Sequence, residues 1–168
     1  MSHSQSRPGE HPMQGAFSTR EGIQADAHAI SVLLQSAFVE FEPLYTPEAF
    51  AATVLSEAGV LTRMDEGPVW VAESQSELIG TVAAIRMPDF IMVRGMAVAP
   101  SARGLGVGRE LLRLTEIFAR TQGYERLCLY TTGFLQGAIK LYQTAGFRFT
   151  GETSNPHGTE LLRMVKDF

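Results

Sequence analysis

Between Met96 and Leu112 the sequence reads MAVAPSARGLGVGRELL, and no other stretch restricts the fold as strongly. An apolar run ends at a proline, glycines alternate along RGLGVG, and a helical pattern follows. The start of a helix carries unpaired N–H groups and the positive end of a dipole, so it attracts anions, phosphates above all. Glycines just before it remove side chains that would hold a phosphate away from those amides. Gly104, Gly106 and Gly108 therefore form a cradle suited to a pyrophosphate, with Arg103 and Arg109 close enough to add charge. The other reading of the same glycines is a tight loop that needs positive φ. Two familiar phosphate loops do not fit. A Walker loop ends in Gly-Lys followed by Ser or Thr, and no lysine stands here. A dinucleotide fingerprint is GxGxxG, early in a parallel unit, with an acid closing the next strand. Here the spacing is GxGxG, the loop comes late, and the next strand ends at Thr131-Thr132.

The rest of the chain supplies a frame for that junction. Its 168 residues suffice for one domain with a buried core, and 45% hydrophobic with 19% charged residues is a globular composition. The first fifteen residues, polar and rich in Pro and Gly, read as a mobile tail before a single domain over 16–168. A short strand is expected in AFSTRE, then a helix capped by Asp26 with Ile30, Leu33, Leu34 and Phe38 at helical spacing. A second helix starts near Thr46-Pro47 and fades at Gly59. VWVAES and LIGTVAAIRM form a hairpin across QSE, and FIMVRGMAVA adds a third adjoining strand, with Gly95 marking a bulge or a close backbone approach. After the glycine loop, Leu111, Leu114 and Phe118 stripe a helix ending near Gly123, and ERLCLYTT is a further strand. A helix in FLQGAIKLYQTAGF, stopped by Gly146, and a last hairpin from FRFT to TELLRMVKDF close the chain. This order predicts an α/β (α+β) fold, a mixed sheet with helices on both faces.

Composition excludes some functions. A formal charge of −4 argues against a nucleic-acid partner. No apolar stretch reaches the ~18 residues that cross a bilayer, so no membrane span is expected. A single cysteine, Cys128, leaves no internal disulfide and suits a reducing, cytoplasmic setting. His3 and His11 in the tail and His28 in a helix make no metal cluster, so no metal is expected.

VRGMAVAPSARGLGVGRELL resembles the cofactor segment of the GNAT N-acetyltransferase superfamily. Its loop pattern is Arg or Gln, two residues, Gly, one residue, then Gly or Ala, here Arg103, Gly106 and Gly108. AIKLYQTAGF, Ala138 to Phe147, resembles the family's AxxLYxxxGF, in the correct order and joined by one helix and one strand. The resemblance implies a mostly antiparallel GNAT-like sheet and an acyl-CoA ligand, most simply acetyl-CoA. Its pyrophosphate would rest on backbone amides of Gly104, Leu105, Gly106, Val107, Gly108 and Arg109, beside Arg103. Its pantetheine arm would pair with Met96, Ala97 and Val98, where that strand and LCLYTT splay apart, which would give Gly95 a reason to be small. The implied reaction is direct acyl transfer to a primary amine of a small molecule or a peptide, with a homodimer left open. Tyr142 matches the tyrosine that donates to the leaving sulfur; its helical stripe alone would make it a core residue. A catalytically silent acyl-CoA-binding regulatory module is the alternative.

Two departures stand out. The pantetheine strand, Phe90 to Val98, lacks the carboxylate some members carry there, leaving Asp89, Glu73 or a water route for the amine proton. The position many members fill with asparagine is Leu135, for which Thr131 or Thr132 could substitute. By the same resemblance, His157 in NPHG and the segment with Phe38, Phe41, Leu44 and Tyr45 lie where the acceptor pocket is commonly shaped. Ordinary surface and packing roles compete for both. Cys128 and Trp70 read as core.

Overall fold

A computed structural model describes residues 17–168; the predicted tail, with His3 and His11, lies outside them. Seven strands and five helices follow in the order β1 (Ser18–Glu21), α1 (Ala27–Phe38), α2 (Pro47–Thr53), α3 (Glu57–Glu66), β2 (Val69–Ser74), β3 (Glu77–Arg86), β4 (Ile91–Val98), α4 (Val107–Thr121), β5 (Arg126–Thr131), α5 (Gln136–Thr144), β6 (Arg148–Ser154) and β7 (Leu161–Asp167).

The region expected to hold one helix from Thr46 to Gly59 holds two. Thr46 caps α2, its hydroxyl accepting from the Ala49 N–H at 3.1 Å with Pro47 opening the helix. Ser56 then starts α3 by accepting from the Gly59 N–H at 3.2 Å. Gly59 is thus inside the first turn of a new helix, and three helices rather than two precede the hairpin. Asp26 stands at the start of α1 but does not cap it with its side chain. Its carboxylate takes both Nη atoms of Arg20 at 2.7 and 2.9 Å, and Arg20 Nε reaches Glu73 at 2.9 Å. A guanidinium held bidentately outcompetes the neutral helix amides for a carboxylate, so Asp26 fastens α1 to the sheet edge instead.

The sheet runs β1-β2-β3-β4-β5-β7-β6 and is antiparallel except between β4 and β5. The hairpin joining β2 and β3 turns on Gln75 and Ser76, both at positive φ. Helices cover both faces, as the element order predicts. On one side α1 and α3 bury Ile30, Leu34 and Val60 against Val69, Val71, Ala83 and Ala97. On the other, α4 buries Val107, Leu111 and Leu112 against Ala72, Val82, Ile91 and Leu127, and Tyr142 and Phe147 join the same cluster. Fully burying each Leu, Ile or Val contributes about 1.5–3 kcal/mol, so these faces hold the layers together.

β4 carries the bulge expected at Gly95. Ala83 pairs with Arg94 but Thr81 pairs with Ala97, one extra residue on β4, and Gly95 sits at φ +61°. A Cβ at Gly95 would lie 2.8 Å from Arg63 Nη1, the yielding end of a long side chain, so the positive φ is what favours glycine there.

Candidate functional site

Two parts of the fold converge at the end of β4. The first is the glycine loop. Beyond Val98 the chain makes a short turn over Pro100–Ala102 and enters α4 at Gly106, which provides no side-chain cap. The first helical bond is Glu110 N–H to Gly106 C=O, so the Val107, Gly108 and Arg109 amides precede any intrahelical acceptor. Gly104 and Gly106 have φ of +81° and +84°, and a Cβ on either would meet nothing within 4 Å. Bare amides beneath open space are what an anion needs. The residues present therefore fit a diphosphate.

The other loop residues divide. Gly108 is small for a different reason, because a Cβ there would come within 2.7 Å of Leu141 Cδ2, where α4 meets α5. Val107 is buried and Leu105 packs against the α4 cluster, so both offer backbone only. Arg103 is not a free cation. Its Nη1 pairs with Glu40 at 2.6 Å and its Nη2 donates to the Ala37 carbonyl at 3.1 Å, pinning the loop to the end of α1. Arg109 is exposed and has no carboxylate partner among the described residues. It lies with Leu105 and Gly106 on the wall of a cavity of about 700 Å³ along α4.

The second part is a gap in the sheet. β4 and β5 pair only at Ile91↔Leu127 and Met92↔Cys128, after which the ladder stops while both strands continue. A cavity of about 600 Å³ opens there, and Gly95, Met96, Leu129, Thr132, Leu135 and Tyr142 are on its wall. Met96 and Tyr142, far apart in sequence, thus share one cavity. Ala97 turns to the α1 face and Val98 packs toward α4, and of the three β4 residues expected to meet the cofactor arm only Met96 is on the cavity wall. Tyr142 is 7% exposed, packs edge-on to Phe147, and burial holds its phenol well above the usual tyrosine range. Thr132 Oγ1 is buried without a hydrogen-bond partner, although the Tyr45 phenol lies beside it.

Several expectations about the acceptor end resolve. Phe38, Tyr45 and His157 border this cavity, while Phe41 stacks on Phe134 and Leu44 is exposed. The turn bearing His157 is latched across the cavity to α2: Thr46 donates its hydroxyl to the His157 carbonyl and its N–H to Thr159 Oγ1. The proposed carboxylates do not arrive. Glu73 is tied to Arg20 at the far edge, and Asp89 is exposed in the turn before β4. The charged side chains that do reach the wall, Arg63 and Glu66 of α3 and Arg94 of β4, were not singled out from the sequence. Ser56 was the signal that would have extended the helical reading to the first two. Cys128 is fully buried in β5 and burial raises its thiol pKa, as suits a core residue; Trp70 packs on Phe118.

No helix among the described residues is long and apolar enough to cross a membrane, and no cluster of metal-ligating side chains occurs among them.

Comparison with known proteins places this geometry. N-acetyltransferase 8 from Rattus norvegicus is 38% identical over 90 residues, half of this chain and 40% of that protein. Its counterpart from Mus musculus is 40% identical over the same shares. The matched part thus spans well under half the length of these relatives. Among solved structures, a PaiA N-acetyltransferase from Thermoplasma acidophilum in complex with coenzyme A superposes with TM-score 0.75 at 15% identity, over 90% of this chain and 99% of that one. The ribosomal-protein-S18-alanine N-acetyltransferase of Escherichia coli gives 0.73 at 17% identity, over 90% and 93%. The sequence profile of the Acetyltransferase (GNAT) family matches residues 28–147, a span that takes in the glycine loop, the parted strands and Tyr142, and the chain belongs to that family.

Proposed function

We propose that this protein transfers an acyl group, acetyl in the simplest case, from acyl-CoA to a primary amine without a covalent enzyme intermediate. The observation that carries the reading is the adjacency of two features: bare amides at the start of α4, and the parted β4 and β5 strands with Tyr142 on the wall of the cavity between them.

The backbone from Gly104 to Arg109 would hold the pyrophosphate, with the Arg109 side chain as its free cation. The exposed edge of β4 from Met96 to Val98 would pair with the pantetheine arm, since its ladder to β5 has already ended. Thr132, a buried hydroxyl in want of a partner, takes the polar contact that Leu135 cannot make. Bound acyl-CoA supplies a thioester whose acyl carbon is open to an amine. A β4 N–H polarises the carbonyl oxygen, and the loop and gap hold the reactants in line. As the C–N bond forms the C–S bond breaks. Tyr142 keeps its proton and gives it to the departing sulfur. Glu66 is the carboxylate on the cavity wall that can receive the proton lost by the amine.

The test is release of free CoA thiol from acetyl-CoA in the presence of a panel of polyamines, amino acids, aminoglycosides and peptides. Amine-dependent release supports the reading. Tight CoA binding without release for any amine replaces it with the silent regulatory module.

A further inference from the structure

We infer that the acceptor carries a carboxylate as well as its amine, held by Arg63 and Arg94 on the wall of the Tyr142 cavity. The inference rests on the acyl-transfer reading and goes beyond it by naming the chemistry of the acceptor.

The starting observation is which arginines lack a partner. Arg20, Arg103, Arg113, Arg126 and Arg148 each hold a carboxylate. Arg86 lies over the Phe118 ring and donates to Gln122. Among the described residues, Arg63, Arg94 and Arg109, like Arg86, have no ion pair, and unlike Arg86 they have no ring or amide partner either. Arg109 belongs to the glycine loop, where an anion is already expected. Arg63 and Arg94 lie together at the other end of the path, on the cavity that holds Tyr142.

Their placement is unfavourable by itself. Arg63 is half-buried, and its guanidinium is pushed down to about 10 by loss of solvent, with repulsion from Arg94 adding to it and Glu66 opposing it. Its guanidinium lies against the β4 bulge, Nη1 standing 2.8 Å from where a Cβ on residue 95 would be. A desolvated, unpaired charge costs stability. Its sign with pH follows: the unfolded chain keeps this proton above pH 10 when the folded one gives it up, so the penalty is fully present at neutral pH and is relieved only in strong alkali. A costly arrangement at a cavity marks a binding function.

The chemistry that relieves it is a monoanion. Arg63, Arg94 and Glu66 sum to one positive charge on the wall, in a chain whose formal charge is −4. A carboxylate matches that charge and suits the planar guanidinium fork, while Glu66 suits the acceptor's ammonium. An amino acid, or a peptide whose amine and carboxylate are close together, meets both demands. A polyamine brings the ammonium but no carboxylate, and adds further positive charge beside two arginines.

The test uses the full chain and matched acceptors: phenylalanine, phenylalaninamide and phenethylamine, with spermidine as the cationic control, at saturating acetyl-CoA. We expect kcat/KM at least tenfold higher for the acid than for its amide, carried by KM. Arg63→Met and Arg94→Met should each bring the acid-to-amide ratio toward one. Arg63→Met should keep or raise the melting temperature, whereas a purely structural arginine would lower it. Arg94→Met, at an exposed position, reports independently if Arg63→Met folds poorly. Equal turnover of acid and amide, or preference for spermidine, overturns the inference while leaving acyl transfer intact. If no amine releases thiol, calorimetry of phenylalanine with the CoA-loaded protein decides: binding lost in Arg63→Met sustains the carboxylate site, and absence of binding ends it.

Discussion

Tyr142 packs in the core, and the proton donation proposed for it would pull against that duty. Its ring is edge-on to Phe147 in the α4 cluster, while it borders the cavity. Burial raises its pKa, so it stays protonated through the alkaline range in which an exposed tyrosine begins to ionise near pH 10. Tyr142→Phe should lower kcat on the order of 10²-fold, the lower end of general-acid contributions, with CoA affinity by calorimetry unchanged. Below about pH 9.5 the residual rate should follow the wild-type pH profile, because Tyr142 does not titrate there. An unchanged kcat would return Tyr142 to the core. Its candidacy was readable in LYQTAGF, whereas the partners of other single residues were not. Arg103, expected at a phosphate, has Glu40 and the Ala37 carbonyl as its partners within the chain, and Asp26, expected to cap a helix, holds Arg20. Local pattern states what a charged side chain can do nearby; which distant partner takes it is decided by packing.

Strands were legible because alternation and turn residues recur over short distances, and α4 because its apolar stripe is long. The α2–α3 pair was not, since Gly59 looks like a stop and only the serine three residues earlier shows that it is a start. That one misreading hid Arg63 and Glu66, and with them part of the wall of the Tyr142 cavity. Glycines between elements separate packing from binding in a measurable way. At the α3–β2 junction a Cβ on Gly67 would lie 2.0 Å from the Ala84 carbonyl oxygen, and the Ala84 N–H is itself bonded to Pro68 at 3.0 Å. Backbone on both sides leaves nothing flexible to yield. Gly67→Ala should therefore destabilise the fold by about 3 kcal/mol, read by urea denaturation, with a loss under about 1 kcal/mol contradicting the geometry. At Gly106 the space is open but φ is +84°. Gly106→Val should lose about 1–2 kcal/mol to left-handed strain and also weaken CoA binding at least tenfold by filling the cradle. A stability loss with unaltered CoA affinity would leave the strain and remove the cradle.

Across the whole molecule, the sheet is two antiparallel blocks, β1 to β4 and β5 with β7 and β6, joined by two residue pairs of a parallel ladder. Each strand alone has the composition to continue, so the early end to the ladder was expected only through the family resemblance, whereas the glycine within β4 itself marked the bulge. α4 lies across both blocks, packing on β2, β3, β4 and β5, and its first turn is the proposed anion cradle. A ligand seated on that turn and in the gap would touch both blocks and the helix that ties them, while the unfolded chain offers it no such surface. Linkage then fixes the size of the response. CoA at about 100 times its Kd should add about 2.7 kcal/mol to the unfolding free energy. For a domain of this size that is a rise in Tm of about 5–10 °C. AMP, which lacks the diphosphate and the arm, should give little of it at equal concentration, and Gly106→Val should reduce the CoA shift more than its own lower starting Tm explains. A wild-type Tm indifferent to millimolar CoA would mean that the loop and the gap do not form one site, whatever each resembles alone.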